Sequence, residues 1–391
     1  MPIEVDQPEC IDDIFNCPPA YNAIFSCLSP ADVIRVSKTC RLLRDAAIHF
    51  HHLAYNVNRH LEHFVREPLA LRRLQVKHRF LISGSNALQF LDRTFYPSSD
   101  LDIFAFPDNV KEIGYHLINE EGYVFEPSPT QPKKYDEVTV KARDLSTLSR
   151  WASQADFVYN SGMSDLLRFK NAKRDLEIQL IVCRRAPLDC ILYFHSTPVM
   201  NFIAHDAAYS LYPKATFDKR IAISFGWDSH EATKKALDKY SERGWSFVDD
   251  LSYQNVKAVS PAIVPDVERY LDDRDTWILP LDTDGLGVDA DGSSAPSRNP
   301  FHCNSWKLKR DFHGYSTQIE LGITYEIYHA PKHFEHAYLI ADRGLREAMD
   351  QLIDYLTEQN PSRNENKKFL DSFLPSLRDA HLEFPKRIYQ E

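Results

Sequence analysis

Asp100 and Asp102 stand at alternate positions in the run "SSDLDIFAF". In an extended segment alternate residues share a face, so both carboxylates point one way while Leu101 and Ile103 point the other. Two neighbouring carboxylates repel each other in the absence of a cation. Mg²⁺ accepts one or two carboxylates and completes its shell with substrate phosphates. Upstream is Gly84-Ser85, with fourteen residues between Ser85 and Asp100. A phosphate-binding turn beside a carboxylate pair is the arrangement that metal-assisted phosphoryl or nucleotidyl transfer needs.

The flanking elements place these residues. "HRFLIS" reads as a short apolar strand, and "SNALQFLDR" returns to helical spacing through Ala87, Leu88 and Leu91. Gly84-Ser85 therefore lies at a helix N-terminus, where outward backbone N–H groups favour an anion. "TFYPSS" is a loop around Pro97, and "DLDIFAF" is the next strand. A third acid is expected from "KRDLEIQLIVCRR", where Glu177 and Gln179 share one face and Leu176, Ile178 and Leu180 the other. Asp175, nearer the strand start, is the fallback.

This order of strand, Gly-Ser, short helix, Asp-x-Asp strand and later acidic strand resembles the nucleotidyltransferase fold of the DNA polymerase beta superfamily. The resemblance implies that Gly84 and Ser85 hold a nucleoside triphosphate, and that Asp100, Asp102 and Glu177 form a catalytic, Mg²⁺-binding set. Two departures stand out: the stretch between Ser85 and Asp100 is slightly long, and the family usually has aspartate where Glu177 falls. Arg168, Lys170, Lys173, Arg174, Arg184 and Arg185 are near enough in sequence to neutralise phosphates, although solvated hairpin edges account for most of them. From Phe80 to about Phe217 the chain also resembles a group of fungal proteins carrying "SGS…SDLD" and "MNFI…AYSLYP" blocks, many of them with an F-box.

The N-terminal stretch "CPPAYNAIFSCLSPADVIRVSKTCRLLRDAAIHF" is a helical unit. Ala20, Ile24, Cys27 and Leu28 form one stripe. Ser29 suits an N-cap, Pro30 the first turn and Asp32 the capping acid. Val33, Val36, Cys40, Leu43 and Ala47 form the next stripe. From Ile11 to Phe50 this resembles an F-box, with Leu43 where the family often has tryptophan and Cys17 where leucine is usual. The resemblance implies docking onto the adaptor subunit of an SCF-type ubiquitin ligase through Pro18, Ile24, Leu28, Pro30 and Val33, by packing of apolar anchors.

The bulk properties agree with such an organisation. The 391 residues suffice for two or three domains, and an apolar content of 43% supports a sizeable core. A net charge of −10 argues against non-specific nucleic-acid binding but leaves a local basic groove open. Seven scattered cysteines without a CxxC pair read as reduced thiols of a cytoplasmic or nuclear protein. The acidic N-terminus lacks a signal-peptide core, and no apolar run is long enough for a membrane helix. His49, His51 and His52 suit a helix C-terminus, and His195, His205 and Cys190 match no zinc spacing. "PLDTDGLGVDADGSSAPSRNP" is a solvated loop whose Asp spacing does not fit calcium.

The expected class is α+β / α/β. The expected units are an F-box-like helical domain at 8–52, a helical linker at 53–79, a nucleotidyltransferase-like domain at 80–220 and a C-terminal α+β extension at 221–391. "TPVMNFIAHDAAYSLYP" is expected to be a helix on the sheet, and "HEATKKALDKYSERGW" a helix ending at Gly244. Three functions remain open: an F-box receptor whose transferase fold binds a nucleotide or partner, an active Mg²⁺-dependent nucleotidyltransferase, or an interaction protein with a degenerate site.

Overall fold

A computed structural model describes residues 11–140, 151–153, 162–225, 231–248, 263, 265–287, 299–312, 319–330, 332–359 and 369–388. Helices and a large mixed sheet combine in an α+β / α/β architecture. No helix among the described residues is long and apolar enough to cross a membrane.

Four helices come first: α1 (Ile11–Phe15), α2 (Pro18–Ser26), α3 (Pro30–Ser37) and α4 (Arg41–Ala54). Proline opens α2 and α3, where a missing N–H costs no intrahelical bond. Ser29 caps α3 by accepting from the Asp32 amide at 3.1 Å. Tyr21, Phe25, Val33, Ala46, Ala47 and Phe50 close a small core of their own.

Two more helices, α5 (Val57–Leu61) and α6 (Pro68–His78), follow in the expected linker. They are not a spacer: Val57, Leu61, Phe64 and Leu71 enter the same core as the central strands. The main sheet contains β1 (Leu81–Ser83), β2 (Leu101–Ala105), β3 (Val124–Glu126), β5 (Met163–Asn171), β6 (Leu176–Cys183), β7 (Asn201–Ile203), β8 (Ala207–Ser210) and β12 (Trp277–Pro280). Its order is β12-β8-β7-β1-β2-β6-β5-β3. β2 runs antiparallel to β1 and parallel to β6. The sheet takes its last strand, β12, from well beyond position 220, the expected domain boundary.

Helices α7 (Gly84–Asp92), α8 (Val110–Asn119) and α9 (Pro187–Leu192) pack against these strands. The expected helix over "TPVMNFIAHDAAYSLYP" is instead a short 3₁₀ turn followed by the β7–β8 hairpin. Both strands are buried along their whole length, so neither face shows the polar alternation that marks a strand.

β9 (Ile221–Ile223) pairs in parallel with β10 (Ser246–Val248) across α10 (Glu231–Glu242), and Gly244 follows that helix with φ +97°. β11 (Glu268–Tyr270), β13 (Ser305–Phe312) and β14 (Ile319–Thr324) form a three-stranded sheet. Another joins β16 (Tyr338–Ile340), β15 (Glu326–Tyr328) and β4 (Trp151–Ser153). The chain ends in α11 (Arg343–Gln359) and α12 (Leu374–Ile388), with Leu345, Met349 and Ile353 in their core.

Candidate functional site

The site lies where β1, β2 and β6 run side by side. Ser83 is opposite Asp102, and the parallel register sets Leu101 opposite Ile178 and Asp102 opposite Gln179. Chain direction therefore brings Gly84, Asp100, Asp102 and Glu177 to one region. Asp175 lies outside it, exposed in the turn before β6 with φ +52°.

Gly84 opens α7 with φ +68°, a conformation that L side chains resist. A Cβ at Gly84 would lie 2.2 Å from Asp102 Oδ2. Glycine is thus required twice, for the turn and for the close approach of the helix N-terminus to this carboxylate. Ser83 anchors the turn by donating its hydroxyl to the Asn201 carbonyl at 2.5 Å. Ser85 is buried in the first turn, and its carbonyl accepts from Gln89.

Burial and the Asp100 charge push the Asp102 carboxyl up to about 7, Glu177 adding to the push and Lys239 opposing it. Burial and Glu177 also raise Asp100. Gln179 mediates between the two strands. Its Nε2 donates to Asp100 Oδ2 at 2.8 Å and to Glu177 Oε1 at 3.0 Å, so these two oxygens lie within about 6 Å of each other. Glu177 is also drawn towards β5, with Arg168 at 3.8 Å and Lys170 at 4.0 Å. Of the expected phosphate-neutralising cations, Arg168 and Lys170 lie against the acid cluster. Arg174 is spent on the carbonyls of Glu62, His63 and Phe64, and Arg185 on Asp189.

Lys239 on α10 is a functional candidate that sequence reasoning missed. Its ammonium is lowered by partial burial and by Arg243, and held up by Asp100 and Asp102. Four residues on, the Arg243 guanidinium stacks 3.6 Å from the Tyr96 ring centroid. Sequence spacing could not find Lys239, since only the return of the chain through α10 brings it to the acids.

The donor set fits a hard cation in part. Two hard oxygen donors converge, both resisting ionisation through burial and through a neighbouring carboxylate, Glu177 for Asp100 and Asp100 for Asp102, which is the electrostatic condition that a divalent ion relieves. Among the described residues, no three His, Cys, Asp or Glu side chains are grouped to enclose an ion by themselves. Glu177, tied to Gln179 and facing two cations, is the member placed least well for coordination. The fitting arrangement is Asp100 and Asp102 with substrate oxygens completing the shell.

The helical unit modifies the expected adaptor surface. Pro18 is exposed, Ile24 is 39% exposed and Leu28 is half-buried. Pro30 and Val33 are buried, Val33 in the unit's own core, so these two are not available as anchors. Arg35 on α3 reaches Asp218 at 3.2 Å. Arg93, just past the end of α7, donates to the carbonyls of Phe25 and Leu28 at the end of α2, the place where a cation suits a helix terminus. Comparison with protein-family models, curated proteins and solved structures found no match to this chain.

Proposed function

We propose that the chain binds a nucleoside triphosphate at the Gly84-Ser85 turn and, with Mg²⁺, transfers a nucleotidyl group to an acceptor hydroxyl. The observation that carries this reading is the Gly84–Asp102 approach, which sets an anion-binding helix start directly against a paired carboxylate. Backbone N–H groups of the first turn of α7 receive phosphate oxygens. Asp100 and Asp102 hold the cation, and Lys239 balances charge on the phosphates. When bound, Mg²⁺ supplies charge neutralisation of the phosphates and orientation of the acceptor. The acceptor oxygen bonds to the α-phosphorus, pyrophosphate leaves, and the acceptor proton passes to a carboxylate of the cluster.

The test is incubation of the full chain with each labelled nucleoside triphosphate, Mg²⁺ or Mn²⁺, and RNA and protein acceptors, beside Asp100→Asn/Asp102→Asn. Label transfer by the wild type alone supports the reading. Absence of both transfer and nucleotide binding overturns it.

A second reading concerns the helices before residue 55. Their separate small core and the exposure of Ile24 favour an F-box-like module docking to an SCF ubiquitin ligase adaptor. Adaptor pull-down that is lost on Ile24→Asp supports this reading, and retention of an unchanged complex, or none with the wild type, counts against it.

A further inference from the structure

A second recess is built from α5 and the turn after it, the first turns of α7, and the loop leading to Asp100. It encloses about 130 Å³. Phe64 and Phe95 form apolar walls, each edge-on to the His63 ring at 4.8 and 5.2 Å. Phe64 is buried, whereas Phe95 is 62% exposed, a large ring left at the mouth.

The polar groups lining the recess are unevenly satisfied. Gln89 uses its whole amide: Nε2 donates to the Ser85 carbonyl and Ser99 Oγ, and Oε1 accepts from the Tyr96 amide. Asn86 is fully buried and its Oδ1 pairs with His60 Nε2 at 2.9 Å, but its Nδ2 has no partner. His63 Nε2 is also buried without a partner. An unmet buried donor costs about 1–3 kcal/mol, which an acceptor bound in the recess would recover. Burial, with Arg174 adding to it, holds the His63 imidazole below its ordinary value, leaving a neutral ring that can donate from Nε2. Arg59 lies at the mouth, Arg174 lies behind His63, and among the described residues no carboxylate side chain lines the recess. The field there favours an anion, and the aromatic walls favour a flat one.

We propose that this recess binds a small planar carboxylate. The ring lies against Phe64 and Phe95, and the carboxylate accepts from Asn86 Nδ2 and His63 Nε2 with Arg59 at the entrance. The site does not depend on nucleotidyl transfer. It does share α7 with the acid cluster, because Asn86 stands two residues after Gly84 in the same helical turn.

The test titrates benzoate, benzamide and inorganic phosphate into the full chain without metal, read by calorimetry and by the His63 ring signals in NMR. Benzoate should bind, with benzamide at least about tenfold weaker and phosphate weaker still. Phe95→Ala, which removes an exposed ring and spares the fold, should cost about tenfold in benzoate affinity, as should Asn86→Leu where circular dichroism reports an intact fold. Asp102→Asn should leave benzoate binding unchanged. No benzoate binding, equal affinity for benzamide, preference for phosphate, or full affinity in Phe95→Ala would overturn the proposal. Benzoate binding without nucleotide binding would sink the transferase reading alone, and the reverse pattern would sink only this one.

Discussion

Asp102→Asn replaces a carboxyl pushed up to about 7 by a neutral amide of nearly the same shape. In the unfolded chain the carboxyl titrates at its ordinary value of 3.8. Between those values the folded protein holds a proton that the unfolded chain has released. The wild type should therefore lose stability as pH rises through this window and level off above it. Each unit is worth about 1.4 kcal/mol, so the whole shift amounts to about 4 kcal/mol. Asp102 is only half-buried by its exposed area, so solvent screening brings the effect to roughly 2–4 kcal/mol. The advantage of Asp102→Asn over the wild type should then grow by about 2 kcal/mol between about pH 5 and about pH 8. Adding Mg²⁺ at the upper pH should narrow the gap, because a ligand that needs the charged pair stabilises only the wild type. The assay is urea unfolding of both proteins across that range, followed by tryptophan fluorescence and circular dichroism. A stability difference that does not change with pH would refute the argument that Asp102 is ionised at a cost.

Other substitutions probe the surrounding supports. Gly84→Ala meets both a positive φ and the Asp102 carboxylate, so it should cost about 1–3 kcal/mol in urea unfolding and weaken nucleotide binding in filter assays. Arg220→Leu strips the buried Asp92 of its two-pronged partner at 2.8 and 2.7 Å, and should lower stability by about 3 kcal/mol, measurable by the same unfolding curves. Arg93→Ala removes the donor to the Phe25 and Leu28 carbonyls, and limited proteolysis should then cleave faster before residue 55 than in the wild type. Val33→Asp should unfold the helical unit by circular dichroism, whereas Ile24→Asp should leave its helicity unchanged.

The sequence made the local elements of the site readable because their signals are local. Pro30, Ser29 and Asp32 mark the start of α3, and Gly84-Ser85 marks the junction of β1 and α7. Alternation in "DLDIF" and "LEIQL" marks β2 and β6. The class of mixed α and β structure followed from these. What the sequence hid is what tertiary pairing decides. "MNFI" and "AAYS" are buried on both faces, so periodicity could not separate a buried hairpin from a buried helix. Val33 fits an apolar anchor by type but faces inward. Gln179 was visible as a neighbour of Glu177, yet its bridging amide follows only from the parallel register. Lys239 and the Phe95 recess depend on segments remote in sequence or without periodicity.

The late arrival of β12 has a consequence for how the chain is made. Residues 81–210 leave the ribosome carrying seven strands of the main sheet, but the second partner of β8 is not synthesised until Trp277–Pro280. Throughout that interval β8 presents unpaired backbone groups and apolar side chains, the kind of edge on which another nascent chain can add a strand. Chains stopped short of residue 280 should therefore collect as aggregates, even though every residue of the acid cluster is already in place. β12 thus acts as an intramolecular guard for the β8 edge of the sheet that carries the acid cluster.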